Sequence, residues 1–555
     1  MPRMWKRLAL AIFTGAVAAG LCVVGVTAAQ DAKPDPGNLN QADRVEWFRD
    51  IGFGMFIHWS VDTQLGAVPS HSMVGADPDY NKRFMEELPK TFNPHKYNPT
   101  DWAVLAKLAG MKYVVLTTKH HSGFTMWRTK TTDFGIANTP FTRDITGELV
   151  KAFREQGIAP GFYFSPDDFS WLVRNHVQLQ RHVPSVQPIN NPGLMALDKS
   201  QIRELLGNYG PIDVIFFDGD AQQLRELAWQ MQPNIIVTRG AMATPEQYVP
   251  GVPLEGAWES CITMGTEWPY KPTNENYKSG SELISLLVET RAKGGNLLLN
   301  VGPKPDGELP IEQENRLREI ALWMMVNGEA IYGVRPWMLT NEQDIWFTKK
   351  KDTNTLYAIV KGKERWKYGE WRDVVLHSVR ATDATKVTVL GQNDEVLEYS
   401  KAVPKTTWKQ EADGLHIHAM HAQRLYTDRK WPNPIVLKVT NVEPALEPSR
   451  ATTDQVRWDP ATKTAVCEST LDDLGDAPSV QVGCEYQDLT GLDLTERTGN
   501  WTATPTVAKS ATGKFTTRII GLKQPGLYEV RAVVKHPLLT TYGREMRLEI
   551  PAPAR

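Results

Sequence analysis

Between residues 43 and 337, short and continuously apolar segments alternate with amphipathic segments. Such apolar runs are typical of strands buried on both faces of a parallel sheet, with helices covering the sheet. The predicted strands are 54–59, 113–118, 161–165, 214–217, 235–238 and 296–301. The predicted helices are 100–109, 146–156, 199–208, 281–293 and 311–327. An alternation of this length favours a (β/α)8-like TIM barrel over an open sheet.

After Trp337 the helical periodicity disappears and short β-rich runs replace it. Runs at 355–360, 373–376, 386–389 and 414–418 predict a β-sandwich over residues 338–430. A plausible linker follows at 430–434. Residues 435–555 are again strand-like, notably at 435–440 and 526–534, and predict a second small β-sandwich-like domain. Nothing in the pattern indicates what this last domain binds.

The first 29 residues have the organisation of a secretory signal peptide. A basic segment, MPRMWKR, precedes the apolar segment LALAIFTGAVAAGLCVVGV, and the small residues Thr27-Ala28-Ala29 form a cleavage site. A polar linker follows at 30–42. We therefore expect an exported protein, periplasmic or extracellular, with no membrane span in the mature chain. The apolar segment is also long enough to be an uncleaved anchor, which is the less favoured alternative.

Composition narrows the possible functions. The 555 residues include 62 Lys and Arg against 64 Asp and Glu, with no basic domain, so no nucleic-acid partner is expected. No phosphate-binding glycine motif follows a strand, and no Gly-x-Ser-x-Gly motif indicates a serine hydrolase. Cys467 and Cys484, 17 positions apart, are either a disulfide or two buried thiols. Eighteen tryptophans offer flat apolar faces on which sugar rings stack.

Polar side chains follow the predicted strands, one group per strand end. Because the carboxyl ends of barrel strands meet at one rim, we expect these side chains to converge there. They are His58 and Trp59 after the first strand, His120 and His121 after the second, Tyr163 at the third, Asp218 after the fourth and Arg239 after the fifth.

The reactive group in this set is a carboxylate. Asp218 follows the apolar run VIFF, and a neighbouring Arg239 would keep it ionised. An ionised carboxylate beside a second, protonated one is the arrangement of glycosidases. Three tryptophans, Trp59, Trp127 and Trp268, are candidates for stacking on a sugar. Adjacent residues on a strand point to opposite faces, which argues against His120 and His121 sharing a metal, so no metal or other cofactor is expected.

Eight segments, in order, resemble the α-L-fucosidase family of retaining glycoside hydrolases over residues 40–430. They are GFGMFIHWS (52–60), TKHHSGFTMW (118–127), DITGELVKAFREQGI (144–158), YFSPDDF (163–169), LLGNYGPIDVIFFDG (205–219), WESCITMGTEWPY (258–270), GGNLLLNVGPKPDG (294–307) and NGEAIYGVRPW (327–337). The resemblance implies a (β/α)8-like barrel followed by a β-sandwich, in agreement with the pattern of apolar segments.

The resemblance also implies roles for individual residues. Asp218 matches the catalytic nucleophile of the family, which forms a glycosyl-enzyme intermediate. Trp268 matches the aromatic segment that meets the C5 methyl group of the sugar. The residues that match the fucose-binding pocket are His58, His120, His121, Tyr163 and Arg239.

The acid/base residue lies in a loop of variable length, so motif matching leaves three candidates. In the family this residue usually lies about a dozen positions before the Trp-Glu pair, here Trp258-Glu259. Glu246 is 13 positions before Glu259 and fits this spacing best. Glu259 is the second choice and Glu255 the third.

The sequence departs from the family pattern after the first strand. Ser60 stands where the family usually has Gly, and no Glu-Trp pair follows. His71, Ser72 and Met73 are candidates to fill the space left by that pair. The leading hypothesis is a secreted, exo-acting α-L-fucosidase whose partner is a fucosylated glycan or oligosaccharide. The alternatives are a non-catalytic carbohydrate-binding protein, or a retaining glycosidase for an α-L-galactoside or a sulfated fucan. The sequence does not indicate an oligomeric state.

Overall fold

The computed structural model describes residues 37–66, 70–180, 183–361, 366–393, 405–422, 433–492 and 500–552. The predicted signal peptide, most of the linker after it, and residues 430–432 of the second linker lie outside these ranges. No helix within the described ranges has the length and apolarity needed to cross a bilayer.

Seven parallel strands form the central sheet of the first domain. Their order across the sheet is β5-β4-β3-β2-β1-β7-β6, so the sheet extends in both directions from the first two strands. The strands are β1 Phe53–Ile57, β2 Tyr113–Lys119, β3 Ala159–Phe164, β4 Val214–Phe217, β5 Ile236–Val237, β6 Glu259–Thr263 and β7 Asn296–Val301. This arrangement confirms the (β/α)8-like fold class.

Helices of the described ranges surround this sheet, the first of them with Phe48 packed into the barrel interior. They are α1 Ala42–Ile51, α2 Pro78–Glu86, α3 Leu88–Thr91, α4 Pro99–Leu108, α5 Ile145–Glu155, α6 Phe169–Arg174, α7 Pro192–Asn208, α8 Gln222–Met231, α9 Gly280–Ala292 and α10 Ile311–Asn327. The sequence pattern missed α1, α2, α3, α6, α8 and β6. Strand β6 reads ESCIT, and its buried Glu259 and Ser260 interrupt the apolar run on which the prediction depends.

Side chains alternate between two cores along each strand. On β1, Phe53, Met55 and Ile57 pack outward against the helices, whereas Phe56 packs into the barrel interior. Gly54 also faces inward, and a Cβ there would lie 2.5 Å from the ring of Tyr113. A glycine at this position lets the Tyr113 ring cross the interior. The alternation decides which strand-end side chains can enter the barrel mouth.

The connection from β5 to β6 contains no helix. Residues 238–258 form a long loop that returns along β6, with isolated parallel bridges from Ala243 to Trp258 and from Glu246 to Cys261. This loop partly fills the gap between the two outermost strands of the sheet.

A β-sandwich follows the barrel. One sheet has the order β13-β16-β11-β10-β8 with β9 paired to β10, and the other has the order β12-β15-β14. The strands are β8 Val334–Arg335, β9 Asn341–Glu342, β10 Ile345–Lys350, β11 Leu356–Val360, β12 Trp371–Leu376, β13 Val379–Val389, β14 Thr407–Glu411, β15 Gly414–Met420 and β16 Ile435–Pro444. The sequence analysis assigned 435–444 to the last domain, but β16 pairs with β11 and β13 and is therefore part of this first sandwich.

A second β-sandwich ends the chain. Its sheets have the orders β17-β18-β22 and β20-β19-β23-β24, with β21 paired to β19 and β25 to β23. The strands are β17 Arg450–Asp459, β18 Thr464–Asp473, β19 Val480–Asp488, β20 Thr502–Ala503, β21 Val507–Lys509, β22 Gly513–Ile519, β23 Gly526–Lys535, β24 Thr540–Tyr542 and β25 Met546–Ile550. Cys467 and Cys484 share the core between these sheets as free thiols.

Candidate active site

A pocket opens at the carboxyl ends of the barrel strands. It has a volume of about 460 Å³, including the open mouth. Its lining residues are Phe56, His58, His71, His120, His121, Tyr163, Phe216, Asp218, Arg239, Glu246, Cys261 and Trp268. Nine residues that the sequence pattern or the family resemblance singled out therefore meet around one space.

Asp218 projects into the pocket just beyond β4. Its Oδ2 accepts a hydrogen bond from the Tyr163 hydroxyl at 2.7 Å, and its Oδ1 accepts one from Arg239 Nη1 at 3.0 Å. His121 Nε2 lies 3.4 Å from Oδ2. Burial by itself raises the pKa of this carboxyl, but His121, Arg239 and Tyr163 outweigh it and hold the pKa well below its ordinary value. Asp218 is therefore an anion at any physiological pH.

Arg239 joins Asp218 to the second carboxylate of the pocket. While Nη1 binds Asp218, Nη2 binds Glu246 Oε2 at 2.9 Å. The guanidinium is oriented by Nε, which donates to Thr244 Oγ1 at 3.0 Å, and by the ring of Phe216, which lies 4.5 Å from Cζ. Two carboxylates on neighbouring nitrogens of one guanidinium must face the same space. The Glu246 side chain is 37% exposed, so it lies towards the mouth.

His58 has a defined tautomer. Asn300 Nδ2 donates to the Trp268 carbonyl at 2.6 Å, so Asn300 Oδ1 is the acceptor for His58 Nδ1–H at 2.7 Å. Burial lowers the pKa of His58 to about 3. The ring is therefore neutral and keeps Nε2 as a hydrogen-bond acceptor.

His120 is fixed by a buried serine. Ser70 Oγ accepts from the Ser122 backbone N–H at 2.7 Å, and the same oxygen is hydrogen-bonded to His120 Nδ1 at 2.9 Å. Ser70 has the left-handed φ of 64°, and its N–H is held by the buried Asp62 at 2.5 Å. Burial and the neighbouring histidines lower the pKa of His120 well below its ordinary value. The ring is therefore neutral, and Ser70 holds its orientation in the pocket.

His120 and His121 both reach the pocket, contrary to the alternation expected of adjacent strand residues. Strand β2 ends at Lys119, and the chain turns through Gly123, whose φ is 87°. His121 Nδ1 is within 2.5 Å of Ser165 Oγ, which turns its Nε2 towards Asp218. The nitrogens of both histidines and a carboxylate oxygen of Asp218 lie within 4.8 Å of one another, a spacing that a cation would tolerate. Both Asp218 oxygens are already engaged by Tyr163 and Arg239.

One wall of the pocket is apolar. The Trp268 ring lies 4.7 Å from that of His58 and 5.9 Å from that of Phe56. Phe216 stacks on Tyr163, with centroids 5.6 Å apart and planes inclined by 21°. This wall is suited to a substituent without a hydroxyl group.

Two of the predicted sugar-stacking tryptophans lie outside the pocket. Trp59 is 1% exposed and packs against Tyr97 and Trp102, and its Nε1 donates to the Lys304 carbonyl. Strand alternation is the reason: His58 faces inward with Phe56, so Trp59 faces outward. Trp127 is fully buried, with Nε1 bound to Glu204.

The two other acid/base candidates also lie away from the pocket lining. Glu259 begins β6 and is fully buried at the opposite end of the barrel, where it accepts a 2.5 Å hydrogen bond from Tyr113. Glu255 is exposed and faces a different cleft. Of the three glutamates, only Glu246 borders the pocket.

Sequence reasoning missed several residues of the site. Phe56 and Phe216 form its apolar floor, and Asn300 and Ser70 orient its histidines. Strand alternation identifies Phe56 and Phe216, since each lies two positions before His58 or Asp218. His71, one of the candidates to fill the space of the missing pair, lines the pocket and stacks on His121 at 5.8 Å.

A (β/α)8-like barrel with two carboxylates, neutral histidines and an apolar wall at its mouth defines a glycoside hydrolase. The family model described as Alpha-L-fucosidase matches residues 22–329, more than half of the chain. The chain belongs to the α-L-fucosidase family.

Individual relatives agree with this assignment. An alpha-L-fucosidase of Branchiostoma floridae is 30% identical over 410 residues, which are 64% of this chain and 87% of the relative. Plasma alpha-L-fucosidase of Homo sapiens is 31% identical over 360 residues, 56% of this chain and 75% of the relative. Among solved structures, alpha-L-fucosidase isoenzyme 1 from Paenibacillus thiaminolyticus is 28% identical with a TM-score of 0.57, covering 72% of this chain and 99% of that one. Thermotoga maritima alpha-fucosidase in complex with fucose is 27% identical with a TM-score of 0.56, covering 71% and 96%.

The buried Glu259 generates a prediction about stability. Burial raises its pKa from 4.5 to about 7, although the hydrogen bond from Tyr113 lowers it. Between these two pH values the native state holds a proton that the unfolded state has released, so stability falls as pH rises. Glu259→Gln has no carboxyl group that titrates at this position. Its free energy of unfolding relative to that of wild type should therefore rise by roughly 3 kcal/mol between pH 4.5 and 8. Urea unfolding at several pH values measures it. Glu549→Gln, at an exposed position of β25, is the control, and parallel curves for wild type and Glu259→Gln would contradict the prediction.

Proposed function

We propose that this protein is an exo-acting α-L-fucosidase that removes terminal α-L-fucosyl residues from glycans with retention of configuration. The observation that carries the proposal is the linked pair of carboxylates, in which Asp218 is held ionised and Glu246 borders the mouth on the same guanidinium. The choice of fucose as the sugar rests on membership of the α-L-fucosidase family. Export after cleavage of the predicted signal peptide is part of the same proposal.

The reaction proceeds by double displacement. A carboxylate oxygen of Asp218 attacks the anomeric carbon, and the bond from that carbon to the leaving oxygen breaks as Glu246 donates its proton to that oxygen. The product is a glycosyl ester on Asp218. Glu246, now a carboxylate, takes a proton from water, which attacks the anomeric carbon and releases Asp218. The positive charge of Arg239 stabilises whichever carboxylate is ionised at each stage.

The histidines recognise the hydroxyl groups of the sugar by complementary polarity. His58 Nε2 accepts a hydrogen bond from one sugar hydroxyl, and the neutral ring of His120 offers its Nε2 to another. A hydroxyl group both donates and accepts, so it can bind either ring. The wall of Phe56, Phe216 and Trp268 receives the C5 methyl group of fucose.

His71 replaces the missing Glu-Trp pair as a contact to the sugar. It lines the pocket beside His121 and follows the constrained Ser70, which sets the position of its backbone. Among the described lining residues, Arg239 is the one Lys or Arg, and it is already bound to two carboxylates. The pocket therefore favours a neutral fucosyl residue over a sulfated one.

Hydrolysis of 4-nitrophenyl α-L-fucoside tests the sugar and the nucleophile together. Asp218→Ala should lower kcat by several orders of magnitude, because it removes the attacking atom. Azide should partly restore turnover and yield a fucosyl azide, since it fits the space left by the carboxylate. Circular dichroism controls for folding. If Asp218→Ala hydrolyses the substrate at the wild-type rate, the proposed mechanism is wrong.

Glu246→Ala should discriminate between leaving groups. With a poor leaving group, such as a fucosylated disaccharide, kcat/KM should fall about 10²- to 10⁴-fold, because protonation of the leaving oxygen is lost. With 2,4-dinitrophenyl α-L-fucoside, which needs little protonation, the first step should be nearly unaffected. Glu259→Ala is the matched comparison. If Glu259→Ala shows this selectivity and Glu246→Ala does not, the acid/base assignment is wrong.

Chelation tests the expectation that no metal takes part. Dialysis against EDTA should leave kcat unchanged, because the Asp218 oxygens already bind Tyr163 and Arg239. The measurement is turnover before dialysis, after it, and after addition of Zn²⁺ or Ca²⁺. Activity that falls on chelation and returns with either ion would assign a metal to His120, His121 and Asp218.

A further inference from the structure

The loop that carries Glu246 is long and has no helix of its own. It comprises residues 238–258, between β5 and β6. A loop of this length holds a side chain in place only if its backbone is anchored. The anchoring of Glu246 matters because a general acid must come within hydrogen-bond reach of the leaving oxygen.

The half of the loop next to Glu246 is anchored to β6. Cys261 N–H donates to the Pro245 carbonyl at 3.0 Å, and Gln247 N–H donates to the Cys261 carbonyl at 2.9 Å. Ser260 Oγ donates to the Tyr248 carbonyl at 3.0 Å. These bonds attach the backbone of residues 245–248 to β6.

The following residues leave β6 and reach two other elements. The Pro250 carbonyl accepts a 2.5 Å hydrogen bond from Lys293 Nζ, near the end of α9. Gly251 N–H donates to Glu545 Oε2 at 3.1 Å. Glu545 lies in the second β-sandwich, between β24 and β25, so the last domain contacts the Glu246 loop directly.

Glu545 is itself rigidly held. Its Oε1 accepts from Arg531 Nη1 at 3.0 Å, and its side chain is 14% exposed. Arg531 also binds Glu485, and its guanidinium lies between the rings of Trp501 and Tyr542, at 3.9 and 4.0 Å from their centroids. Held by partners of this kind, the carboxylate is a fixed acceptor.

Gly251 of the loop lies closer to Glu545 of the sandwich than a residue with a side chain could. A Cβ on Gly251 would lie 1.8 Å from Glu545 Oε1. The φ of Gly251 is outside the left-handed region, so the backbone itself would accept alanine. Around this contact, an open cleft of about 2230 Å³, including its mouth, separates the barrel side from the sandwich side. The hydrogen bond from Gly251 therefore supports a part of the loop that is bordered by open space.

We propose that Glu545 is a positioning residue for the acid/base carboxylate, and that the last β-sandwich serves as a brace for the Glu246 loop. The proposal rests on the assignment of Glu246 under the proposed function. Loss of the brace lets residues 249–253 shift and moves Glu246 relative to the leaving oxygen. Displacements of about 1 Å at a catalytic group cost up to roughly 100-fold in rate.

The test compares leaving groups in full-length variants. Glu545→Ala and Gly251→Ala should each lower kcat/KM for a fucosylated disaccharide roughly 10- to 100-fold. Each should leave 2,4-dinitrophenyl α-L-fucoside within about twofold, because that leaving group does not require the acid. Glu545→Gln, which keeps an acceptor oxygen, should recover most of the loss. Glu549→Ala, four positions away and exposed, is the matched control.

The outcomes separate this inference from the proposed function. If Glu246→Ala shows leaving-group selectivity and neither Glu545→Ala nor Gly251→Ala does, the brace is wrong and the acid assignment stands. If Glu246→Ala shows none, the acid assignment itself fails. An equal loss with both substrates would also overturn the brace, because it indicates a general structural role. Should Glu545→Ala not fold, Gly251→Ala alone decides between these outcomes.

Discussion

The arrangement of the whole site depends on the guanidinium of Arg239. It binds the carboxyl groups of both Asp218 and Glu246, and so links the proposed nucleophile to the proposed acid/base residue. Asp218 remains ionised because this cation, together with His121 and Tyr163, outweighs the cost of burial. A change in the position of Arg239 would therefore affect the proposed nucleophile and the proposed acid/base residue at once.

The barrel positions Arg239 and the two carboxyl groups that it binds. Strand β4 places Asp218, the turn after β5 places Arg239, and the loop that returns along β6 places Glu246. Parallel strands deliver their carboxyl ends to one rim, so residues far apart in the chain meet without any local sequence signal. The floor of the site is formed by Phe56 on β1 and Phe216 on β4, two positions before His58 and Asp218.

The neutral histidines show how buried partners define a binding surface. Neither His58 nor His120 is charged, and each has its Nδ1 committed to a side chain outside the pocket lining, Asn300 or Ser70. The result is an acceptor at His58 Nε2 and a second neutral imidazole whose orientation Ser70 holds. Ser70 belongs to a loop that the strand-end pattern does not select, whereas Asn300 lies near the carboxyl end of β7.

The sequence by itself determined the barrel class, the two β-rich regions and the strand-end residues of the site. Apolar runs are local and periodic signals that locate the strands, and the carboxyl ends of barrel strands always meet at one rim. It also contained the information that Trp59 faces outward, since strand alternation follows from Phe56 and His58. Only the tertiary structure decided that β16 belongs to the first sandwich, that Glu246 and not Glu259 borders the pocket, and that Glu545 touches the Glu246 loop. Those facts depend on strand pairing, on the path of an irregular loop and on contacts between residues about 300 positions apart. None of these leaves a periodic trace in the sequence.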